Sequence, residues 1–350
     1  MTLDNIHKIA VLRANALGDF IFALPALAAL RQTYPQAEIT LLGLDWHAAF
    51  LAKRPSPIDR VVVVPPSQGV RGDANTIEDP VELANFFAKM AQEKFDLAIQ
   101  MHGGGRYSNS FLLRLGAKMT VGLKTPDAAP LDLWIPYIYY QPEILRYLEV
   151  VSLIGAKTTE LEPQVAVTDQ DLAEAKSVVK LSDQPVVVLH PGATDPRRWW
   201  SIEKFAAVGD ALAIGYNTDV VVTGVKSEYD LVDGVVKTMK AKAQNLCDRL
   251  SLGGLAGLLK LSSVAIANDS GTLHLAGAVG CATVGIYWCG NLITAGPITR
   301  SRHRPAVSWR LNCPVCGVDC THASCNHSNS FVDDVSLKEV TDSAIQLLLT

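Results

Sequence analysis

Residues 9–30 read IAVLRANALGDFIFALPALAAL: an apolar strand, a short loop holding Gly18 and Asp19, then a helix that is almost wholly apolar. A buried strand that empties into a loop and feeds a buried helix is the repeating unit of α/β proteins with parallel sheets. Ligands of such proteins gather beyond the carboxyl ends of the strands, where helix N-termini aim N–H groups outward. Asp19 therefore admits two readings. It is a first-turn acid that caps the helix, or a carboxylate held at a binding crevice.

The unit recurs. Residues 186–200, VVVLHPGATDPRRWW, are again a buried strand ending in a polar loop. Strand-like runs KIAVL, EITLLG, RVVVV, FDLAIQ and KMTVGL alternate with helix-like segments in the first half. VVVLH, DVVVTG, VAIAND and TVGIYW do the same in the second. A polar loop from Pro65 to Asp79 interrupts the first half, a length that compact domains reserve for function or mobility. The alternation weakens between about Leu161 and Pro185, which places a domain junction there. The expected organisation is two α/β domains, residues 1–165 and 166–334, followed by an amphipathic terminal helix within residues 335–350.

A chain of 350 residues suits two cores rather than one. With 49% hydrophobic and 19% charged residues the composition is globular, and a formal net charge of −4 supplies no basic field for nucleic acid. The basic run RSRHR, Arg300 to Arg304, reads as a solvated loop. The longest apolar run, Phe20 to Leu30, contains Pro25 and is well short of the ~20 residues of a membrane span. The opening residues MTLDNIHKIAVL lack the basic start of a secretory signal. A soluble, cytoplasmic protein is expected.

Three segments carry chemistry. In LHPGATDPRRWW, Gly192 and Ala193 permit close backbone approach and precede Arg197 and Arg198. N–H groups followed by guanidinium groups suit a diphosphate. In VVTGVKSEYD, Glu228 lies just past a strand end, where a carboxylate accepts from ribose hydroxyls or simply opens a helix. In IANDSGTLHLAGAVG, a buried strand delivers Asn268, Asp269, Ser270, Gly271 and Thr272 to its end, with His274 on the next helix. Five small polar or donor residues exceed what a cap needs, and they form an anion site. Neither a P-loop nor G-x-G-x-x-G is present, and the order Asp-Ser-Gly is not a hydrolase nucleophile elbow. The acidic pair Asp169 and Asp171 follows Thr168 and reads as a helix start.

Seven cysteines occur, four of them in CPVCGVDCTHASCNH: Cys313, Cys316, Cys320 and Cys325, with His322 and His327 close by. The spacing is not that of a standard zinc ribbon or finger. A structural zinc site, a local disulfide and reduced thiols all fit the cluster. No metal is expected in the catalytic chemistry.

Taken in order, LGDFIFALPALAALRQTYPQAEITLLG, HPGA…RRWW, NDSGTLHLAGAVG and the late cysteine cluster resemble glycosyltransferase family 9, the heptosyltransferases of lipopolysaccharide core assembly. The resemblance covers nearly the whole chain. It implies the GT-B architecture: two Rossmann-like domains facing across a cleft, with the terminal helix packing back on the first. It implies Asp19 as catalytic base. Arg197, at the position of a family lysine, would bind the donor's phosphates and Glu228 the nucleoside. Gly192, Ala193, Asp269, Ser270, Gly271, Thr272 and His274 would complete the donor site. Two positions depart from the family pattern: Arg197 replaces the lysine, and Trp200 stands where proline is frequent. The first domain would bind the acceptor.

The implied activity is inverting, metal-independent transfer of a sugar from a nucleoside diphosphate, ADP-heptose by family precedent, to a glycan or lipid-linked acceptor. No cofactor is implied, and peripheral contact with the cytoplasmic face of the inner membrane is. A nucleotide-sugar epimerase-like GT-B enzyme and a non-catalytic sugar-binding scaffold are the alternatives.

Overall fold

A computed structural model describes residues 3–180 and 182–350. The chain divides into two compact units, Met1–Pro163 and Gln164–Thr350, each built on a six-stranded parallel sheet. The first unit contains β1 (Lys8–Leu12), β2 (Glu38–Gly43), β3 (Arg60–Val63), β4 (Leu97–Gln100), β5 (Met119–Lys124) and β6 (Leu133–Pro136), in spatial order β3-β2-β1-β4-β5-β6. The second contains β7 (Val186–His190), β8 (Asp219–Val222), β9 (Ala243–Asn245), β10 (Val264–Asn268), β11 (Ala282–Trp288) and β12 (His303–Ser308), in order β12-β11-β10-β7-β8-β9. Two doubly wound sheets of this order form the GT-B fold that the sequence motifs imply.

Central strands are buried on both faces, and their sequences show it. Ile9, Ala10, Val11 and Leu12 of β1 are fully buried, in register with β2 (Ile9↔Ile39) and β4 (Ile9↔Leu97). The helix Leu17–Thr33 is apolar on all sides because it is buried on all sides: Phe20, Ile21, Ala23, Leu27 and Leu30 are at most 1% exposed. It packs against the helix Glu143–Ser152. The loop Pro65 to Asp79 is irregular apart from one bridge, Ser67↔Arg71. Asp79 ends it by capping the helix Pro80–Glu93, its Oδ1 accepting from the Val81 N–H at 2.8 Å.

The terminal helix Leu337–Leu348 falls within the second unit. Its apolar face, Val340, Ala344 and Leu347, joins the core of the second unit with Phe205, Leu212, Val284 and Ile286. Spacings of four and three residues place those side chains on one stripe, and the helix Ile202–Tyr216 with β10 and β11 offers the surface that covers it. The run RSRHR is not wholly a loop: His303 and Arg304 open β12, paired with Thr283 and Val284 of β11. Charged side chains are tolerated there because β12 is an edge strand.

Asp96, at the entrance to β4, ties three strands together. Its carboxylate accepts from the N–H groups of His7 (2.7 Å) and Lys8 (2.9 Å) and from Lys118 Nζ (2.7 Å). Burial pushes this carboxyl up, but the three donors outweigh burial and hold its pKa at about 2. A carboxylate with a depressed folded pKa stabilises the fold above its unfolded value and loses that contribution as pH falls. Between about pH 4 and pH 2 the protein should lose up to about 2 kcal/mol from this group alone. Asp96→Asn should be less stable than wild type at pH 7 in urea denaturation, and the gap should close towards pH 2. A gap independent of pH would show that the charge contributes nothing.

Candidate functional site

In the first unit the site grows from the end of β1. Arg13 follows Leu12 directly, and its side chain is 2% exposed. A buried guanidinium needs acceptors for its fixed fork of donors. Arg13 finds them in the carbonyls of Met101 (2.6 Å) and Asp19 (2.9 Å) and in the carboxylates of Asp19 (3.2 Å) and Glu143 (3.3 Å). The Tyr147 ring lies 4.8 Å beneath the guanidinium. Glu143 also accepts from Arg146 Nη1 and from the Tyr147 hydroxyl.

Asp19 combines both of its sequence readings. Oδ2 accepts from the Ala16 N–H at 3.2 Å, so the acid does cap its helix. Oδ1 is held by Arg13, yet the side chain remains 39% exposed. A cap has no use for a buried arginine beside it. Two histidines border the same arginine. Burial first, and then the charge of Arg13, push the His47 and His102 pKa values down to about 3. Both imidazoles are neutral at physiological pH, and the His102 Nδ1 accepts from the Ala14 N–H at 3.3 Å.

In the second unit β10, β7 and β8 are neighbours, so the sheet order brings three loops to one place. Gly192 follows β7, and a Cβ built there would lie 2.1 Å from the Glu228 carboxylate. Only glycine lets that acid lie across the loop. Glu228 Oε2 accepts from the Val225 N–H at 2.9 Å and lies 3.9 Å from His190 Nε2. Burial lowers the His190 pKa despite this acid, and its Nδ1 contacts the Thr223 hydroxyl at 3.2 Å. A cavity of about 150 Å³ opens beside them, lined by Leu246, Leu250 and Leu255 as well as His190, Thr223 and Thr272. A lining that combines leucines with a few polar side chains suits a nucleoside.

Thr272 links that cavity to the start of the helix Gly271–Ala278, whose first N–H groups have no acceptor within the helix. The Ser270 hydroxyl oxygen is buried there without a hydrogen-bond partner. The helix start thus holds spare donors for an anion. Asp269 lies beneath it, 2% exposed in its side chain, with Oδ2 accepting from Arg198 Nη1 (3.0 Å) and Oδ1 facing His274 Nε2 (3.1 Å). Burial pushes the Asp269 carboxyl up, but His274 and Arg198 prevail and hold it below the usual range. Asp269 therefore positions Arg198 and His274. Arg197 pairs with Asp195 instead (2.6 Å). Ala193 is buried, its carbonyl accepting from Trp199 Nε1 at 2.7 Å. Trp200 is 1% exposed and locks the loop through its N–H to Asn268 Oδ1 (3.2 Å).

Gly192 and Glu228 thus lie against His190, which lines the cavity with Thr272, while Arg198, Asp269 and His274 form one hydrogen-bonded group around the start of the helix Gly271–Ala278, and Arg197 is held by Asp195. Asp19 heads a separate group in the first unit. His274 faces Asp269 and the Ser270 hydroxyl has no partner, so no hydrolase relay forms. Asp171 accepts from the Thr168 N–H at 2.8 Å and caps its helix. Sequence reasoning missed Arg13, Glu143, Tyr147 and the two neutral histidines. The charged residue ending an apolar strand was the available signal for Arg13. At the cysteine cluster, Cys313, Cys316, Cys325 and His327 come together, and Cys320 does not; its thiol faces the Val318 carbonyl instead. All seven cysteines are free thiols in the structure.

Comparison with known proteins matches residues 83–316 to the model of glycosyltransferase family 9 (heptosyltransferase). The lipopolysaccharide core heptosyltransferase OpsX of Haemophilus influenzae is 22% identical over 303 residues, covering 83% of this chain and 81% of that protein. Among solved structures, a family 9 glycosyl transferase from Veillonella parvula superposes with a TM-score of 0.81 at 21% identity, covering 100% of this chain and 99% of the other. The ADP-heptose lps heptosyltransferase II of E. coli gives 0.75 at 16% identity, covering 98% and 99%.

The Arg13 group has a direct stability consequence. Arg13→Met leaves Asp19 and Glu143 without their shared counter-charge and should cost about 3–5 kcal/mol. Arg13→Met with Asp19→Asn should recover part of that loss, since Glu143 keeps Arg146 as its counter-charge. Chemical denaturation of the two variants measures both values, and a single-variant loss under about 1 kcal/mol would mean the ion group is incidental.

Proposed function

The chain belongs to glycosyltransferase family 9, and from that premise we propose that it moves a heptose from ADP-heptose to a hydroxyl of a lipopolysaccharide core acceptor with inversion at the anomeric carbon. The observation that supports this most is the continuity, through Thr272, of an apolar cavity with a donor-rich helix start. Adenosine fits the former, with Glu228 accepting from the ribose. The diphosphate fits the latter, where Arg198 and the N–H groups of Gly271 and Thr272 meet its charge. Arg197 joins them by exchanging Asp195 for phosphate.

In this reading Asp19 accepts the proton of the acceptor hydroxyl as its oxygen attacks the anomeric carbon. The bond from that carbon to the diphosphate oxygen breaks, and the electron pair leaves on ADP. Arg13 holds Asp19 in place without touching substrate. The Arg197 and Arg198 guanidinium groups stabilise the leaving charge, so a divalent ion is not needed for transfer. The acceptor sits on the first unit, and the enzyme works on the cytoplasmic face of the inner membrane. Among the described residues no helix is long and apolar enough to cross a membrane.

Asp19→Asn keeps the cap and removes the base; turnover should fall ~10²–10⁴-fold while donor affinity holds. Transfer near the wild-type rate would return Asp19 to capping alone. A thermal-shift screen across nucleoside diphosphate sugars identifies the donor, because a ligand of the native state raises stability by mass action. Product analysis with and without an acceptor glycan separates transfer from epimerisation. Arg198→Ala should weaken ADP binding about tenfold to a few hundredfold and adenosine hardly at all. Equal weakening of both ligands in calorimetry would misplace the diphosphate. Transfer should proceed without added magnesium or manganese, and strict dependence on either would sink the cationic mechanism.

A further inference from the structure

Residues 309–330, between β12 and Phe331, form no helix or named strand and expose Trp309, Leu311 and Val315. A segment that buries so little apolar surface needs another source of order. Within it Cys313, Cys316, Cys325 and His327 each bring one ligand atom to within 4.8 Å of the others. We propose that these four residues bind a single structural zinc ion. Ligand bonds of about 2.0–2.3 Å place tetrahedral donors about 3.5–3.8 Å apart. Cys313 Sγ and His327 Nδ1 already lie 3.7 Å from each other. Three thiolates and one imidazole make a closed donor set, which leaves no position for substrate.

The turn is shaped for the task. Gly317 follows Cys316 in the left-handed region (φ +73°), reversing the chain after the second ligand. The Val315 N–H points at Cys313 Sγ at 3.5 Å, and the Gly317 N–H closes on the Cys313 carbonyl at 3.0 Å. A Cys-x-x-Cys turn with N–H groups aimed at its first sulfur stabilises a thiolate. Cys320 lies outside the set, so the ligands are three cysteines and a histidine rather than four cysteines.

The segment leads straight into the donor crevice. Ser330 donates to the Trp199 carbonyl at 2.6 Å, and the Phe331 N–H donates to the Arg197 carbonyl at 2.7 Å. The Phe331 ring lies 5.8 Å from the Arg197 guanidinium and stacks on Trp288. The last ligand, His327, stands four residues before Phe331. The metal thus orders the strap that carries Phe331 against Arg197. Metal binding itself is independent of the donor reading; the effect on nucleotide affinity rests on it.

Elemental analysis of the full chain, purified without a histidine tag under reducing conditions, should find about one zinc per chain. Cys316→Ser and His327→Ala should lose it, and Cys320→Ser should keep it. Because a ligand variant can fail to fold, wild type loaded with cobalt(II) provides a second reading: intense visible bands of a tetrahedral site and sulfur-to-cobalt charge transfer. Metal-free wild type, a disulfide between Cys313 and Cys316 or Cys325, or zinc retained by both ligand variants would overturn the proposal. Stoichiometric iron would uphold the site and overturn its assignment to zinc. Zinc-stripped protein should bind ADP about tenfold more weakly, with recovery on re-addition. Unchanged ADP affinity beside intact metal stoichiometry would leave the site standing and remove its link to Arg197.

Discussion

A charge placed just beyond the end of a buried strand must be matched where it stands, since an unpaired ion there is several kcal/mol too costly to keep. Both units are organised by that constraint, with opposite signs. Arg13 follows β1 and gathers the Asp19 and Glu143 carboxylates and the Met101 carbonyl. Asp269 follows β10 and gathers Arg198 and His274. In each case the buried ion reaches no solvent itself. It fixes the outer groups, and several of those groups are the ones the proposed function sets against substrate.

Charge economy extends around Arg13. His47 and His102 are buried close to it, and a proton on either would add a further cation beside Arg13 and Arg146. Burial and the guanidinium keep both neutral, with pKa values near 3. The site therefore holds two permanent positive charges, Arg13 and Arg146, against the two carboxylates of Asp19 and Glu143. In the second unit the same economy works through space rather than charge. Gly192 has no Cβ, and Glu228 occupies the room so released.

The central strands were legible because β1, β7 and β10 are buried on both faces and read as unbroken apolar runs. β6, β9 and β12 were not read, and all three are edges. An edge strand has one neighbour and half-exposed side chains: AQN and HRPAVS carry no continuous apolar signal, and LWIP, though apolar, is only four residues long and ends in proline. The candidate residues from Gly192 to His274 stood out in the sequence because loops after central strands concentrate polar groups there. Glu143 was not, since it meets Arg13 across 130 residues of chain. The terminal helix shows the same limit: its stripe announces that it must be covered but carries no sign of which surface covers it. Counting cysteines likewise pointed to Cys320, whereas chain geometry brings in His327.

Three of the four sheet edges are marked by proline. β6 ends at Pro136, β12 contains Pro305, and β3 is followed, after Val64, by Pro65 and Pro66. The fourth edge, β9, is only three residues long. Proline offers no N–H, and so short a strand offers almost no ladder. Each of these edges is thus a poor template for a further strand. A second copy or partner that docks on this protein finds little sheet backbone to pair with and meets side chains and loops instead.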